Sequence, residues 1–244
     1  MFVFKNKKGL RHLFFIISVL IVSNIQAQKA KVLNYTTQDD KPITFGFCVG
    51  LNSMDFIIKN SPSSFSPDSM FADISRSTPG FHIQIISNYR LGEYFTLRFL
   101  PGISFGQRDF NFFKKGSNNE YTLVNEKHKL ESNYLEFPIL LKYKAKRLNN
   151  FRPYLITGPN LRVDLAKTFS EDDEVYLDLK RFDLYHEVGV GFDFYLPYFK
   201  LGIELKYSYG FFDMLERRNT THPEFQNAID KLNSSLFLLS FHFE

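Results

Sequence analysis

The most constraining feature of this sequence is an alternation of apolar and polar residues with a period of two. In residues 199–209 the odd positions run from Phe199 to Tyr209 and are all apolar or aromatic, while the even positions are small or charged. Successive side chains of a β-strand point to opposite faces, so the pattern predicts strands with one apolar face. Eight segments follow it, with the phase of the fifth left open because it is apolar on both faces: residues 43–52, 81–91, 95–106, 134–144, 152–165, 182–195, 199–209 and 236–243.

The connections between these segments alternate in length. Short ones lie around residues 92–93, 145–151 and 196–197, and long ones span residues 53–79, 107–133, 166–181 and 210–235. An even number of strands joined in this way is typical of an outer-membrane barrel, whose short turns face the periplasm. We therefore predict an all-β fold: an eight-stranded antiparallel up-and-down outer-membrane β-barrel with short periplasmic turns and long external loops.

Alternation alone also fits a soluble lipocalin-like barrel, whose apolar face points inward. The membrane is favoured because the strands are long enough to cross a bilayer at a tilt, because glycines and mixed charges suit a narrow lumen, and because tyrosines stand at strand ends. One feature opposes it, since proline removes a donor from the strand ladder. Bulges near the rims are the expected accommodation for Pro101, Pro138, Pro153 and Pro159.

The first residues have the pattern of a secretory signal. Four basic residues within the first eleven positions precede an apolar run at residues 13–22, and a polar stretch ends at Ala27. That run is too short for a spanning helix, which needs about 20 residues. We expect a cleavable signal peptide at residues 1–27, a periplasmic tail at residues 28–41, a barrel at residues 42–244, and export to the outer membrane of a Gram-negative cell.

Composition narrows the classes of function. The chain has 30 basic and 26 acidic residues, and the four basic residues of the signal account for the excess, so no nucleic-acid partner is expected. The single cysteine, Cys48, excludes a cysteine-built metal site, and the histidines lack ligand spacing. We predict no metal site and no cofactor.

The last strand carries a candidate catalytic pair. Ser240 and His242 share one of its faces, and Glu187 and Asp193 could join them in the lumen, a set that could suit acyl transfer. The last strand runs toward the periplasm, however, which places the pair far from the lipid A headgroups. A polar pair facing the lumen is the preferred interpretation, and we predict that the protein is not an enzyme and has no catalytic residues.

The turn at residues 145–151 is the preferred partner-binding surface. It is long for the periplasmic end, and its side chains can make charge-assisted and amide hydrogen bonds without an evident packing role. The predicted partner-binding residues are Lys146, Arg147, Asn149, Asn150 and Arg152.

Two alternatives to this surface stay open. The wider basic cluster that begins at Lys142 and Lys144 could bind inner-leaflet phospholipid heads or be a snorkelling rim of cations. The long external loops could instead bind the partner through their phenylalanines, unless these pack over the barrel mouth. Those phenylalanines are Phe56, Phe65, Phe71, Phe112, Phe113 and Phe225.

Several stretches resemble known families. YLEFPILLKY at residues 134–143 and RPYLITGPN at residues 152–160 resemble the small outer membrane protein beta-barrel family. KRLNNFRPY at residues 146–154, AIDKLN at residues 228–233 and LSFHFE at residues 239–244 resemble, more narrowly, the PorT (SprT) family of the type IX secretion system. One departure is the terminal Glu244, since such barrels usually end on an aromatic residue.

The resemblance implies a role in the export of cargo proteins, and with it a link to gliding motility and virulence. It implies other type IX secretion components and outer-membrane lipid as partners, no small-molecule substrate, and action through protein contacts rather than catalysis. The alternatives are a lipid-modifying barrel enzyme and a passive barrel with a structural or ligand-binding role at the cell surface.

Overall fold

The computed structural model describes residues 32–62, 70–116, 120–165, 178–217 and 223–244. The predicted signal peptide lies outside these ranges, as do Phe65 and the first residues of the predicted tail. Residues Asn34–Glu244 form one compact unit, and the description below concerns that unit.

Most of this unit is β-strand. A short 3-10 helix at Thr36–Gln38 precedes the first strand. The elements that follow it are β1 (Ile43–Asn60), β2 (Met70–Arg90), β3 (Phe95–Phe99), β4 (Gly102–Lys115), β5 (Tyr121–Lys144), β6 (Phe151–Asp164), β7 (Asp178–Leu179), β8 (Phe182–Tyr195), β9 (Lys200–Gly210), β10 (Leu215–Glu216), α1 (Pro223–Asn227) and β11 (Ile229–Phe243).

The wall strands close into an antiparallel ring of eight. Neighbouring wall strands pair in chain order, and β1 pairs with both β2 and β11, which closes the ring. β3 and β4 are two parts of a single wall strand, because both pair with β2 and with β5. The predicted eight-stranded barrel is confirmed, and all eight predicted segments are wall strands.

Prolines interrupt the wall inside its strands rather than at the rims. Pro101 stands in the break between β3 and β4. The β5–β6 ladder jumps from Pro138 to Leu141, and on the β6 side the gap includes Gly158. A Cβ on Gly158 would lie 2.2 Å from the Ile139 carbonyl oxygen, so only glycine permits this close approach. The expectation of bulges near the rims is therefore wrong at these positions, because the missing donors are accommodated by gaps in the ladder.

The two faces of the wall follow the predicted phase. In β9 the side chain of Leu205 is 53% exposed, whereas Glu204 and Lys206 on either side are buried in the lumen. The open phase of β6 is now determined, since Arg152, Tyr154 and Ile156 point inward. Large apolar side chains cover the outer face, including Phe45, Phe47, Val49, Leu51, Ile83, Ile85, Ile139, Leu141, Leu155, Val188, Val190 and Leu205.

The described residues of the first two predicted long loops, 53–79 and 107–133, are in large part continuations of the wall strands. β1 extends to Asn60 and β5 begins at Tyr121, because the backbone ladder continues beyond the predicted segments. An apolar cluster lies at the end of the barrel that these extensions form, and it includes Phe56, Phe112 and Leu215. Among the described residues, no helix is long and apolar enough to cross a membrane.

Candidate functional site

Ion pairs between buried side chains fill the barrel lumen. Arg162 forms ion pairs with Glu136 and with Glu187, and the nitrogen–oxygen distance is 2.9 Å in each pair. Further pairs join Lys142 to Asp193 at 2.7 Å, Arg98 to Glu204 at 3.1 Å and Lys206 to Glu187 at 3.2 Å. Burying a charged side chain without a partner of opposite charge is energetically costly, so basic and acidic side chains must occupy the lumen together. The described lumen is thus filled by its own side chains and offers no passage for a folded protein.

The terminal Glu244 is part of this network. Its carboxylate accepts hydrogen bonds from Arg98 at 2.8 Å, Lys200 at 2.6 Å and Asn88 at 2.8 Å. An acidic residue at this position therefore has a structural reason, because the Glu244 carboxylate is shared between two buried cations at the periplasmic end. Sequence reasoning missed the role, although an acidic residue after the last apolar position was a signal for it.

The structure separates Ser240 from His242. Ser240 Oγ lies 2.9 Å from Nε2 of His82, while His242 Nδ1 accepts from Arg98 at 3.1 Å. Glu187 and Asp193 bind lumen cations instead of joining the pair. The Ser240 hydroxyl and the imidazoles of His82 and His242 are all buried, which agrees with the interpretation that these polar groups face the lumen.

The turn between β5 and β6 binds a residue of the tail. Asp39 accepts hydrogen bonds from Arg147 at 3.1 Å, Arg152 at 3.2 Å and the Tyr195 hydroxyl at 2.8 Å. The guanidinium carbon of Arg147 also lies 3.6 Å from the centre of the Tyr195 ring. We call this set of four residues the Asp39 contact.

The Asp39 carboxyl keeps its charge in this contact. Burial by itself would raise its pKa, but the hydrogen bond from Tyr195 and the charges of Arg152 and Arg147 outweigh burial. The pKa of Asp39 is therefore lowered below its ordinary value of 3.8. The contact is a charged one at neutral pH.

The amides of the turn also have structural roles. Asn150 accepts hydrogen bonds through its side-chain oxygen from Arg147 at 2.9 Å and from the backbone N–H of Asn34 at 2.8 Å. Asn149 has a φ of 54°, a left-handed conformation that asparagine tolerates better than most residues. The premise that these side chains lack an internal role is wrong for Arg147, Asn150 and Arg152, because the tail docks on them.

The wider basic cluster is not a single surface. Lys142 is buried in the lumen against Asp193. Lys144 is half-buried and lines a small cavity at the periplasmic end, whereas Lys146 is exposed. Side chains alternate along the end of β5 and its even positions point inward, so Lys142 and Lys144 lie away from the outer face. Leu148, which sequence reasoning passed over, is 63% exposed beside Lys146 in the same turn.

The external phenylalanines divide into two groups. Phe56, Phe112 and Phe225 are buried in the apolar cluster, and the rings of Phe112 and Phe225 meet edge to face at 4.7 Å. Phe71 and Phe113 stack at 5.3 Å across the β2–β4 pair and are partly exposed. The alternative of packing over the mouth is therefore right for the first group, which removes those three residues from the rival surface.

Comparison with known proteins identifies the family. Residues 26–216 match the outer membrane protein beta-barrel domain, which is well over half of the 244 residues. No curated protein matches this chain by sequence.

Solved barrel structures show similarity at low identity. Neisserial surface protein A is 13% identical, with 83% of this chain and 99% of that chain covered at a TM-score of 0.42. OprG from Pseudomonas aeruginosa is 14% identical, with 82% and 93% covered at a TM-score of 0.44. The attachment invasion locus protein of Yersinia pestis is 10% identical, with 83% and 98% covered at a TM-score of 0.34. With its family match and its closed ring of eight strands, this chain belongs to the outer membrane protein beta-barrel domain family and is an outer-membrane barrel.

Proposed function

We propose that this barrel is a non-enzymatic component of the type IX secretion machinery, exported by a cleavable signal peptide and needed for the release of cargo proteins. The observation that carries a contact-based role is the lumen filled by ion pairs, such as that of Arg162 with Glu136 at 2.9 Å. A barrel filled in this way contributes to export by holding other components. The resemblance at residues 146–154, 228–233 and 239–244 is the basis for naming the type IX secretion system.

The alternative of a lipid-modifying enzyme has less support. Ser240 and His82 form the closest serine–histidine pair among the described side chains, at 2.9 Å, and both are fully buried. An acyl-transfer nucleophile must reach its substrate, and a lipid cannot reach a side chain enclosed by the wall. We therefore assign these residues to packing of the lumen.

The surface proposed for the partner is narrower than the predicted turn. Arg147 and Arg152 both bind Asp39, so their guanidinium groups are already engaged within the protein. Lys146 and Leu148 are both exposed on the turn, and among the described residues Lys146 has no ion-pair partner. An exposed leucine beside an unpaired cation suits an apolar contact with an acidic rim.

The test is a secretion assay in the native host. We expect deletion of the gene to abolish export of type IX cargo, and the double variant Lys146→Glu with Leu148→Ser to reduce it strongly while the barrel still assembles. Lys231→Glu is the matched control, since Lys231 is exposed at the opposite end of the barrel. Heat-modifiable migration on a gel verifies assembly of each variant.

Three outcomes would contradict parts of this proposal. Normal cargo export in the deletion strain refutes the secretion role, and an altered lipid A mass spectrum in that strain favours an enzyme. Normal export in the turn variant, with loss of export when the external hairpins are trimmed, moves the partner contact to the other end of the barrel.

A further inference from the structure

A small polar cavity opens at the periplasmic end of the barrel. It has a volume of about 30 Å³ and lies between the start of β1, the ends of β2 and β5, and the starts of β3 and β9. A water molecule needs roughly 10–15 Å³ of such space, so the enclosed part holds about two oxygen atoms. The cavity is therefore large enough for the oxygens of one small anion, with the rest of the ligand in the open mouth.

Positive charge dominates the cavity lining. Six basic side chains line it, against one carboxylate, that of Asp39. Three of the six are paired with carboxylates deeper in the lumen. Lys142 pairs with Asp193, Lys200 with Glu244, and Arg98 with both Glu204 and Glu244. Asp39 itself is bound by the turn arginines and has no charge to spare for the other cations.

The other three basic side chains are left short of anions. Among the carboxylates that the structure describes, Arg90 reaches that of Asp40 alone, at 3.4 Å, and because the Asp40 side chain is 85% exposed the pair is weak. Within the described ranges, Lys41 and Lys144 have no carboxylate within 4.0 Å. An unpaired ammonium beside other cations is unfavourable, and an anion bound between them would remove that repulsion.

We propose that this cavity binds a phosphate-type oxyanion, with Lys144 as its main contact and Lys41 and Arg90 at the rim. A tetrahedral oxyanion accepts several charge-assisted hydrogen bonds at once, and the hydroxyls of Thr44 and Thr96 in the lining add neutral donors. The inference does not depend on the proposed secretion role.

The position of the cavity gives the oxyanion two possible sources. Tyr89 and Tyr143, near the same ends of β2 and β5, are exposed on the outer wall, where tyrosines mark the membrane interface. The cavity therefore lies near the level of the inner-leaflet headgroups. Either a phospholipid headgroup phosphate or a free phosphate from the periplasm can supply the same chemistry.

The first arm of the test uses inorganic phosphate alone. The full mature barrel in dodecyl maltoside is titrated with phosphate by calorimetry. We expect saturable binding that is weakened about tenfold or more in Lys144→Gln, because one charge-assisted contact is lost. Lys146→Gln is the matched control, since it removes the same charge two residues away on an exposed side chain. If Lys144→Gln does not assemble, Lys41→Gln replaces it, with a smaller weakening expected.

The second arm identifies the source. Native mass spectrometry of the same barrel with added phosphatidylglycerol should show one bound lipid that Lys144→Gln loses and Lys146→Gln keeps if the headgroup is the ligand. Binding of phosphate without a specific lipid assigns the site to the free anion. The site is refuted if neither phosphate nor lipid binds saturably, or if Lys144→Gln and Lys146→Gln have equal effects.

Discussion

Leu205 gives a quantitative test of which face meets lipid. It is the central residue of β9, five residues from Lys200 and five from Gly210. Its side chain is 53% exposed on the outer wall, where it neighbours Val190 and Leu239 on the adjacent strands. We consider the substitution Leu205→Arg.

The expected cost follows from the depth of this residue. With a rise of about 3.4 Å per residue and a tilt of about 40°, five residues cover roughly 13 Å along the membrane normal. That is about half of the ~25 Å apolar band, so Leu205 lies near the midplane. An arginine there costs about 2–4 kcal/mol, which lowers the folding equilibrium constant roughly 30- to 900-fold.

Urea titration in phospholipid vesicles measures this cost. The chain has no tryptophan, so the folded fraction is read from the unheated band on a gel rather than from fluorescence. Tyr198→Arg is the matched control, because Tyr198 is 88% exposed in the turn between β8 and β9 and should cost only about 0–1 kcal/mol. Equal midpoints for the two variants would refute a lipid-facing position for Leu205.

Other perturbations address the lumen and the tail. Glu204→Gln should cost about 1–3 kcal/mol, because Glu204 accepts from a buried arginine at 3.1 Å, and a double-mutant cycle with that arginine should show coupling. Gly191→Val should abolish the heat-modifiable band, since a Cβ there would lie 2.3 Å from the ring of Tyr154, whereas Gly92→Val, with no atom within 4 Å, should assemble normally. Asp39→Asn should speed proteolysis of the tail at pH 7. Because the pKa of Asp39 is lowered in the folded state, wild-type protection should persist from neutral pH to about 3.8 and be lost below it, and protection that already fails near pH 6 would contradict this assignment.

The sequence could not predict which side chains contact each other within the lumen. Ser240 and His242 share a face of β11, and sequence adjacency suggested that they act together. In the ring, however, Gly50 of β1 pairs with Ser240 on one side and His82 on the other. Since Gly50 carries no side chain, the serine and that histidine meet across it, at 2.9 Å. Only closure of the ring brings β1, β2 and β11 together.

The turn illustrates the same distinction. Its basic and amide residues were predictable as a cluster, because they follow one another in the chain. Their engagement by Asp39 was not, since Arg147 lies 108 residues away from it. The surface that remains for a partner, Lys146 and Leu148, could be identified only after the internal contacts were known.

The sequence by itself determined the number of wall strands, their antiparallel order and, in every predicted segment except that of β6, the face that each residue occupies. These follow from a local rule, because side chains alternate along a strand and short turns join neighbouring strands. Tertiary structure decided which charges pair, which prolines interrupt the ladder, and where cations are left in excess. Those depend on the register between strands distant in sequence, and Arg98 and Glu244 meet only because the closed ring sets that register.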